Sequence, residues 1–128
     1  MVPIAFYHFG DMIDCTTESM GSLKYIDYGC YCGIGGSGTP VDSLDQCCYE
    51  HDKCYGRIKK RECSGIFNLP YIKSYKYECF GGEVTCSASN DKCQAAVCEC
   101  DRDAAHCIGQ HHHTYNSEYF NYDQEKCK

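Results

Sequence analysis

Apolar residues near the start of the chain fall at Phe6, Phe9, Met12 and Ile13, spaced 3, 3 and 1. That spacing predicts a short amphipathic helix. Residues 28–38 place five glycines in eleven positions, an irregular segment held by Cys30 and Cys32. Thr39-Pro40-Val41-Asp42 reads as a helix start, a hydroxyl cap followed by Pro in the first turn. A helix is predicted from about 40 to 57, ending at Gly56-Arg57. Tyr75 to Phe80 alternates, Gly81-Gly82 turns and Glu83 to Cys86 returns, a hairpin pattern. A second long helix is predicted from Ser89 or Asn90 to Cys107, with Gly109 as its stop. The tail, 110–128, is polar and Tyr-rich without a clear period. His111-His112-His113 reads as solvated loop, because adjacent side chains diverge and chelating His pairs prefer i, i+4 spacing.

Composition changes what can hold these elements together. Of 128 residues, 14 are Cys and 12 Tyr, and Val, Ile, Leu, Met and Phe number only 23. A domain of this length normally relies on a larger aliphatic core. So many cysteines exclude an ordinary cytosolic enzyme and predict disulfides and export. The start, Met1-Val2-Pro3-Ile4-Ala5, has neither a basic lead nor a signal-length apolar stretch. The expectation is a secreted chain whose signal was removed, or whose Met1 was added. Apolar runs fall far short of a membrane span. A net charge of −6 argues against nucleic acid as a partner and against strong attraction to anionic lipid.

Cys47 and Cys54 lie seven apart on the first long helix, as do Cys100 and Cys107 on the second. Touching antiparallel helices pair residues whose numbers have a constant sum. Cys47 with Cys107 and Cys54 with Cys100 satisfy that condition, predicting two bridges face to face. His51 falls between the cysteines of its own helix, on the same stripe, and so faces the second helix, where Asp101 and Asp103 are the candidates. A His fixed against a carboxylate is a good general base. No Ser or free Cys is evidently placed as a nucleophile, so the base would activate water. Asp52 projects about 100° away, near the glycine-rich loop. Converging carbonyls plus a carboxylate are hard oxygen ligands suited to Ca²⁺. No EF-hand run is present, and the absence of any C-x-x-C argues against zinc. The competing class at this level is a cysteine-rich binding module without chemistry.

Three motifs carry a resemblance. Tyr28 to Gly36 reads Tyr-Gly-Cys-x-Cys-Gly-x-Gly-Gly, Cys47 to Cys54 reads Cys-Cys-x-x-His-Asp-x-Cys, and Cys98 to Ala105 reads Cys-x-Cys-Asp-x-x-Ala-Ala. In this order, over roughly residues 5–128, the chain resembles secreted phospholipase A2 of the pancreatic and elapid-venom type. The fold class expected is mainly α and disulfide-rich: two long antiparallel helices cross-linked by disulfides, an N-terminal helix, a Ca²⁺-binding loop and a small two-stranded β-wing. It is expected as one domain over 1–128, with 1–4 as an N-terminal extension. The resemblance implies Ca²⁺-dependent hydrolysis of the sn-2 ester of glycerophospholipids. It implies Asp52 and the carbonyls of Tyr31, Gly33 and Gly35 as metal ligands. It makes His51 the base, Asp101 its support, Tyr55 and Tyr75 the network around that aspartate, and the Gly33 amide an oxyanion donor. It also implies seven bridges: Cys15–Cys79, Cys30–Cys127, Cys32–Cys48, Cys47–Cys107, Cys54–Cys100, Cys63–Cys93 and Cys86–Cys98. The interval from Cys63 to Tyr71 has the length of the pancreatic loop.

The chain departs from the pattern in its four leading residues and in His8, where the family usually has Gln. No Trp is present, and Phe6, Tyr7, Ile34, Phe67, Leu69 and Tyr71 form a candidate apolar contact ring. The implied partner is a phospholipid surface bound peripherally, in an extracellular setting, and the net charge predicts a preference for zwitterionic vesicles. The basic run Arg57, Lys59, Lys60, Arg61 reads as a solvated helix end near the negative pole, or as a lipid or receptor patch. The competing function is an acidic phospholipase-like subunit of a multi-subunit venom neurotoxin, acting mainly by binding and with weak catalysis, in a hetero-oligomer with other phospholipase-like subunits.

Overall fold

The structure is a computed structural model that describes residues 4–17, 21–33, 36–65 and 69–128, with backbone only for 4–6. Three helices dominate: α1 (Ile4–Thr16), α2 (Ser43–Lys59) and α3 (Lys92–His111). One antiparallel hairpin, β1 (Tyr77–Phe80) with β2 (Glu83–Cys86), pairs Tyr77 with Cys86 and Phe80 with Glu83. Gly81 and Gly82 both take positive φ, 60° and 79°, as a two-residue type I′ turn requires. Mainly helical and disulfide-rich with a two-stranded wing, this is the expected fold class. Among the described residues no helix is long and apolar enough to cross a membrane.

Helix α2 begins later and ends later than its sequence suggests. Its cap is Asp42, whose side chain accepts from the Asp45 amide, and Thr39-Pro40 lies outside the helix. The cap wins because a carboxylate three residues ahead of an amide satisfies a first-turn donor that has no helical partner. Gly56 is interior and does not end the helix. The buried stripe runs Leu44, Cys47, Cys48, His51, Tyr55 and Ile58.

Helix α3 opens on a capping box between Asp91 and Gln94, a stronger start than Ser89 or Asn90. It runs through Gly109 to His111, so Gly109 is not its stop. A Cβ at Gly109 would lie 2.7 Å from Thr16 Cβ and 2.9 Å from Thr16 O. The glycine is where α1 crosses α3, and Thr16 Oγ1 donates to Ala105 O at 2.8 Å. His111 ends α3, and His112 and His113 enter a 3-10 turn, so the triplet is not plain loop.

All seven implied disulfides are present. The two bridges expected between the long helices, Cys47–Cys107 and Cys54–Cys100, each hold Cα atoms 5.7 Å apart. A bridge typically adds about 2–4 kcal/mol by restricting the unfolded chain. Several such bridges supplement a core whose fully buried aliphatic residues include Met12, Leu44, Val84, Val97 and Ile108.

The tail, unperiodic in sequence, folds as short 3-10 turns at 112–114, 117–119 and 124–127. It buttresses the glycine-rich loop. Gly29 N donates to Tyr119 O at 2.8 Å, Gln124 Nε2 donates to Gly29 O at 3.0 Å, and Cys127 is bonded to Cys30. Cys127 O passes so close to Gly38 that a Cβ there would lie 1.5 Å from it.

Candidate active site

Helix α2 delivers His51 and α3 delivers Asp101 into the gap between the two staples. Both are buried, His51 at 6% exposure and Asp101 at 0%. His51 Nε2 lies 2.6 Å from Asp101 Oδ1. Tyr55 OH donates to the same oxygen at 2.6 Å, and Tyr75 OH donates to Oδ2 at 2.5 Å. Asp101, not Asp103, is therefore the facing carboxylate; Asp103 is exposed. Burial, and then the Asp101 charge, pushes both phenols well above the ordinary tyrosine range. Both therefore remain O–H donors. With Nε2–H committed to Asp101, the imidazole lone pair sits on Nδ1.

Phe9 stacks on the His51 ring, centroids 4.2 Å apart and planes 13° from parallel. Its helical periodicity marked it only as an apolar position. His8 packs behind the network, its ring 4.8 Å from Tyr75 and 5.2 Å from Tyr77, with Nε2 3.3 Å from Ser74 Oγ.

The loop beside His51 is pinned by a residue the motif reading passed over. Asp45 is fully buried, and its carboxylate accepts from the amides of Cys30 (2.8 Å), Tyr31 (2.7 Å) and Val41 (2.9 Å). A Cβ on Gly29 would lie 2.5 Å from Asp45 Cγ, so glycine is needed for this approach. The available signal was an acidic residue on the buried side of α2, a position tolerated only with full hydrogen bonding. Gly33 takes φ 139°, with Ile26 O 2.7 Å from where its Cβ would sit. Gly35 and Ile34 lie outside the described residues.

Asp52 stands next to this loop; a Cβ on Gly36 would lie 3.3 Å from its Oδ2. Burial pushes its carboxyl up to about 6; His51 pulls the other way and Asp45 adds to the rise. No hydrogen bond or ion pair among the described residues engages Asp52, and none uses the carbonyls of Tyr31 or Gly33. A half-buried carboxylate with no partner among the described residues, next to a glycine-rich loop, is oxygen chemistry that fits a hard cation. Among the described residues no three His, Cys, Asp or Glu side chains cluster to hold a metal.

Of the candidate contact ring, Tyr7, Leu69 and Tyr71 are exposed. Ile34 and Phe67, and the side chain of Phe6, lie outside the described residues. Tyr71 sits against Tyr55 with centroids 4.9 Å apart, and the Asp52 charge adds to burial in raising its phenol. Leu23, Ile26 and Ile72 are further exposed apolar residues that sequence spacing did not single out.

Residues 6–120 match the family model described as Phospholipase A2. The chain is 54% identical over 110 residues to an acidic phospholipase A2, KBf-grIB, from Bungarus fasciatus, covering 84% of this chain and 78% of that protein. It is 50% identical over 121 residues to a phospholipase A2 from Oryctolagus cuniculus, covering 91% of this chain and 81% of that one.

Proposed function

Since the chain belongs to the phospholipase A2 family of enzymes, we propose that it cleaves the sn-2 ester of glycerophospholipids with Ca²⁺, releasing a fatty acid and a lysophospholipid. The observation that carries this reading is the pair of neighbours on α2. His51 has its Nε2 occupied by Asp101 at 2.6 Å, and Asp52 is left without a hydrogen-bond or ion-pair partner among the described residues beside the glycine loop. One residue is prepared to take a proton and the next to bind a cation.

In this reading Nδ1 of His51 takes a proton from water as the water attacks the ester carbonyl. Asp101 holds the tautomer and stabilises the imidazolium that forms. Tyr55 and Tyr75 hold Asp101, and the Phe9 ring restricts rotation of the imidazole. The Gly33 amide, which no described hydrogen bond uses, donates to the developing oxyanion. His51 then returns its proton to the leaving alkoxide. Asp52 and the carbonyls of Tyr31, Gly33 and Gly35 are the residues that would hold Ca²⁺. Bound there, the cation supplies positive charge for the lipid phosphate and polarises the ester carbonyl. The exposed Tyr7, Leu69 and Tyr71 are apolar groups available to a lipid surface, and the seven disulfides suit an extracellular setting. No observation separately favours a binding subunit of a hetero-oligomer.

The test uses phosphatidylcholine vesicles with different acyl chains at sn-1 and sn-2, and mass spectrometry of the released acid. The expected product is the sn-2 acid alone, abolished by EDTA and restored by Ca²⁺. Release of the sn-1 acid, or hydrolysis that continues in EDTA, would contradict the proposal.

A further inference from the structure

The bridge Cys15–Cys79 differs from the other six in two ways. The first is access. Each of the other six contains a cysteine at 5% exposure or less. Cys15 is half-buried and Cys79 is exposed. Thiol–disulfide exchange begins when a thiolate reaches one sulfur of the pair, and here neither end is shielded by the core. The second difference is position. The other six bridges join residues from Cys30 onward. Cys15–Cys79 is the single covalent cross-link on α1, and also the single one on β1.

Helix α1 carries contacts that reach the site. Phe9 stacks on His51 at 4.2 Å. His8 lies 4.8 Å from the ring of Tyr75, which holds Asp101. Tyr77, the first residue of β1, donates through its OH to Asp11 at 2.6 Å. Met12 and Ile13 are buried, and Thr16 Oγ1 donates to Ala105 O, so packing keeps α1 in place when the bridge opens. What the bridge adds is restriction. A cross-link between residues 64 apart limits how far and how often α1 and the hairpin separate.

The surroundings of the bridge select its reductant. Asp14 precedes Cys15, Asp11 lies one helical turn earlier, and Glu78 precedes Cys79. Glu83 O lies 3.9 Å from Cys15 Sγ. No ion pair among the described residues engages any of these four acids. Four carboxylates repel an anionic thiol such as glutathione and admit a neutral or cationic one.

We propose that Cys15–Cys79 is a thiol–disulfide exchange site, opened by a neutral or cationic dithiol while the other six bridges stay closed, and that opening it slows the chemistry at His51 by loosening α1. A thiolate of the reductant bonds to Cys79 Sγ, and Cys15 leaves as a thiolate that takes up a proton. The second thiol of the reductant then attacks the mixed disulfide, releasing Cys79 as a thiol and the reductant as its own disulfide. Two electrons and two protons pass to the protein, and an oxidising disulfide reverses the step. The effect on rate rests on the reading of His51 as the base, whereas the exchange itself does not.

The test treats the folded protein with dithiothreitol without denaturant, traps free thiols with N-ethylmaleimide and maps them by mass spectrometry. Cys15 and Cys79 are expected to be labelled together, about tenfold or more faster than any other pair. With monothiols, cysteamine is expected to outpace glutathione by about threefold or more at low salt, and the gap to close at about 0.5 M salt. In the selectively reduced protein, amide exchange in α1 should quicken by about tenfold. Its kcat on monomeric dihexanoyl phosphatidylcholine should fall by about five- to tenfold, short of the 10²-fold that a lasting misplacement can cost, with KM little changed. Reoxidation with oxidised glutathione should restore it. The double variant Cys15→Ser, Cys79→Ser should show the lowered kcat from the outset and no response to mild dithiothreitol; selective reduction reads the same quantities without any substitution. Labelling that starts at another pair, or at all pairs together, overturns the exchange site. Glutathione matching cysteamine at low salt overturns the choice of reductant. Selective labelling with kcat and α1 exchange unmoved overturns the coupling to His51. A protein that hydrolyses nothing before reduction overturns the proposed reaction, and the labelling then still decides the exchange site.

Discussion

Two halves of the site leave α2 from adjacent residues and are finished in opposite ways. Around His51 the chain supplies every partner: Asp101 is fully buried and both its oxygens are engaged, by His51 and two tyrosines. Around Asp52 no hydrogen bond or ion pair is supplied among the described residues, and burial, with the Asp45 charge adding to it and His51 opposing, drives that carboxyl up to about 6. A buried polar group without a partner costs free energy unless something else satisfies it. The difference teaches that the hydrogen-bond network around His51 is complete in the folded chain, whereas the proposed role of Asp52 depends on a cation the chain does not itself supply. Asp45 stands between them, a buried carboxylate satisfied entirely by loop amides.

Four substitutions or conditions break or sharpen this contrast. The largest effect is expected for His51→Gln, which removes the base. Hydrolysis should fall by about 10²–10⁴-fold with the circular dichroism spectrum unchanged, and a loss under tenfold in a vesicle assay would remove His51 from the chemistry. Next comes Asp45→Ala. It strands three amides, each costing roughly 1–3 kcal/mol when left unsatisfied and buried. Calorimetry should show a clearly lower Tm together with weakened Ca²⁺ binding although Asp52 is intact, and an unchanged Tm would mean the loop is held by its disulfides alone.

Tyr75→Phe removes one hydrogen bond to a charged group, worth about 1.5–3 kcal/mol. It should lower Tm and reduce the rate by less than His51→Gln, with no change in Ca²⁺ affinity by titration calorimetry. A change in that affinity would show that the two halves are not separate. The smallest effect concerns pH. The Asp52 carboxyl, raised by burial from the ordinary carboxylate range to about 6 in the fold, favours folding at low pH and loses that contribution as pH rises through about 6. At pH 7.5 its unpaired charge opposes folding and a cation relieves it; at pH 5 a proton already has. The rise in Tm on adding Ca²⁺ should therefore be larger at pH 7.5 than at pH 5, and the reverse order would exclude Asp52 as the ligand.

Much of the half around His51 was legible in the chain because cysteine spacing is a ruler. The spacing of Cys47, Cys54, Cys100 and Cys107 places two helices face to face, and His51 between them has to look across. The choice between Asp101 and Asp103 was not legible from spacing, since both fall between Cys100 and Cys107, and needed the resemblance. Phe9 and Asp45 were missed for a different reason. A stacking ring looks like any core aromatic, and a buried carboxylate looks like a helix-end charge, until the backbone that comes to meet it is seen. Gly56 and Gly109 were both misread as helix ends. Glycine does mark helix ends, but at 109 it admits a crossing helix, and at 56 it lies inside α2 where a Cβ would meet nothing within 4 Å. Helix α2 starts after Asp42 rather than at Thr39 because the Asp42 carboxylate reaches the Asp45 amide while Asp45 reaches back to Val41.

The most direct test is a Ca²⁺ titration by calorimetry on three proteins, the parent, His51→Gln and Asp52→Asn, with sn-2 hydrolysis measured on the same preparations. The account predicts that His51→Gln binds Ca²⁺ as the parent does yet hydrolyses almost nothing, and that Asp52→Asn loses both. Ca²⁺ binding that survives in Asp52→Asn, or disappears in His51→Gln, would contradict it.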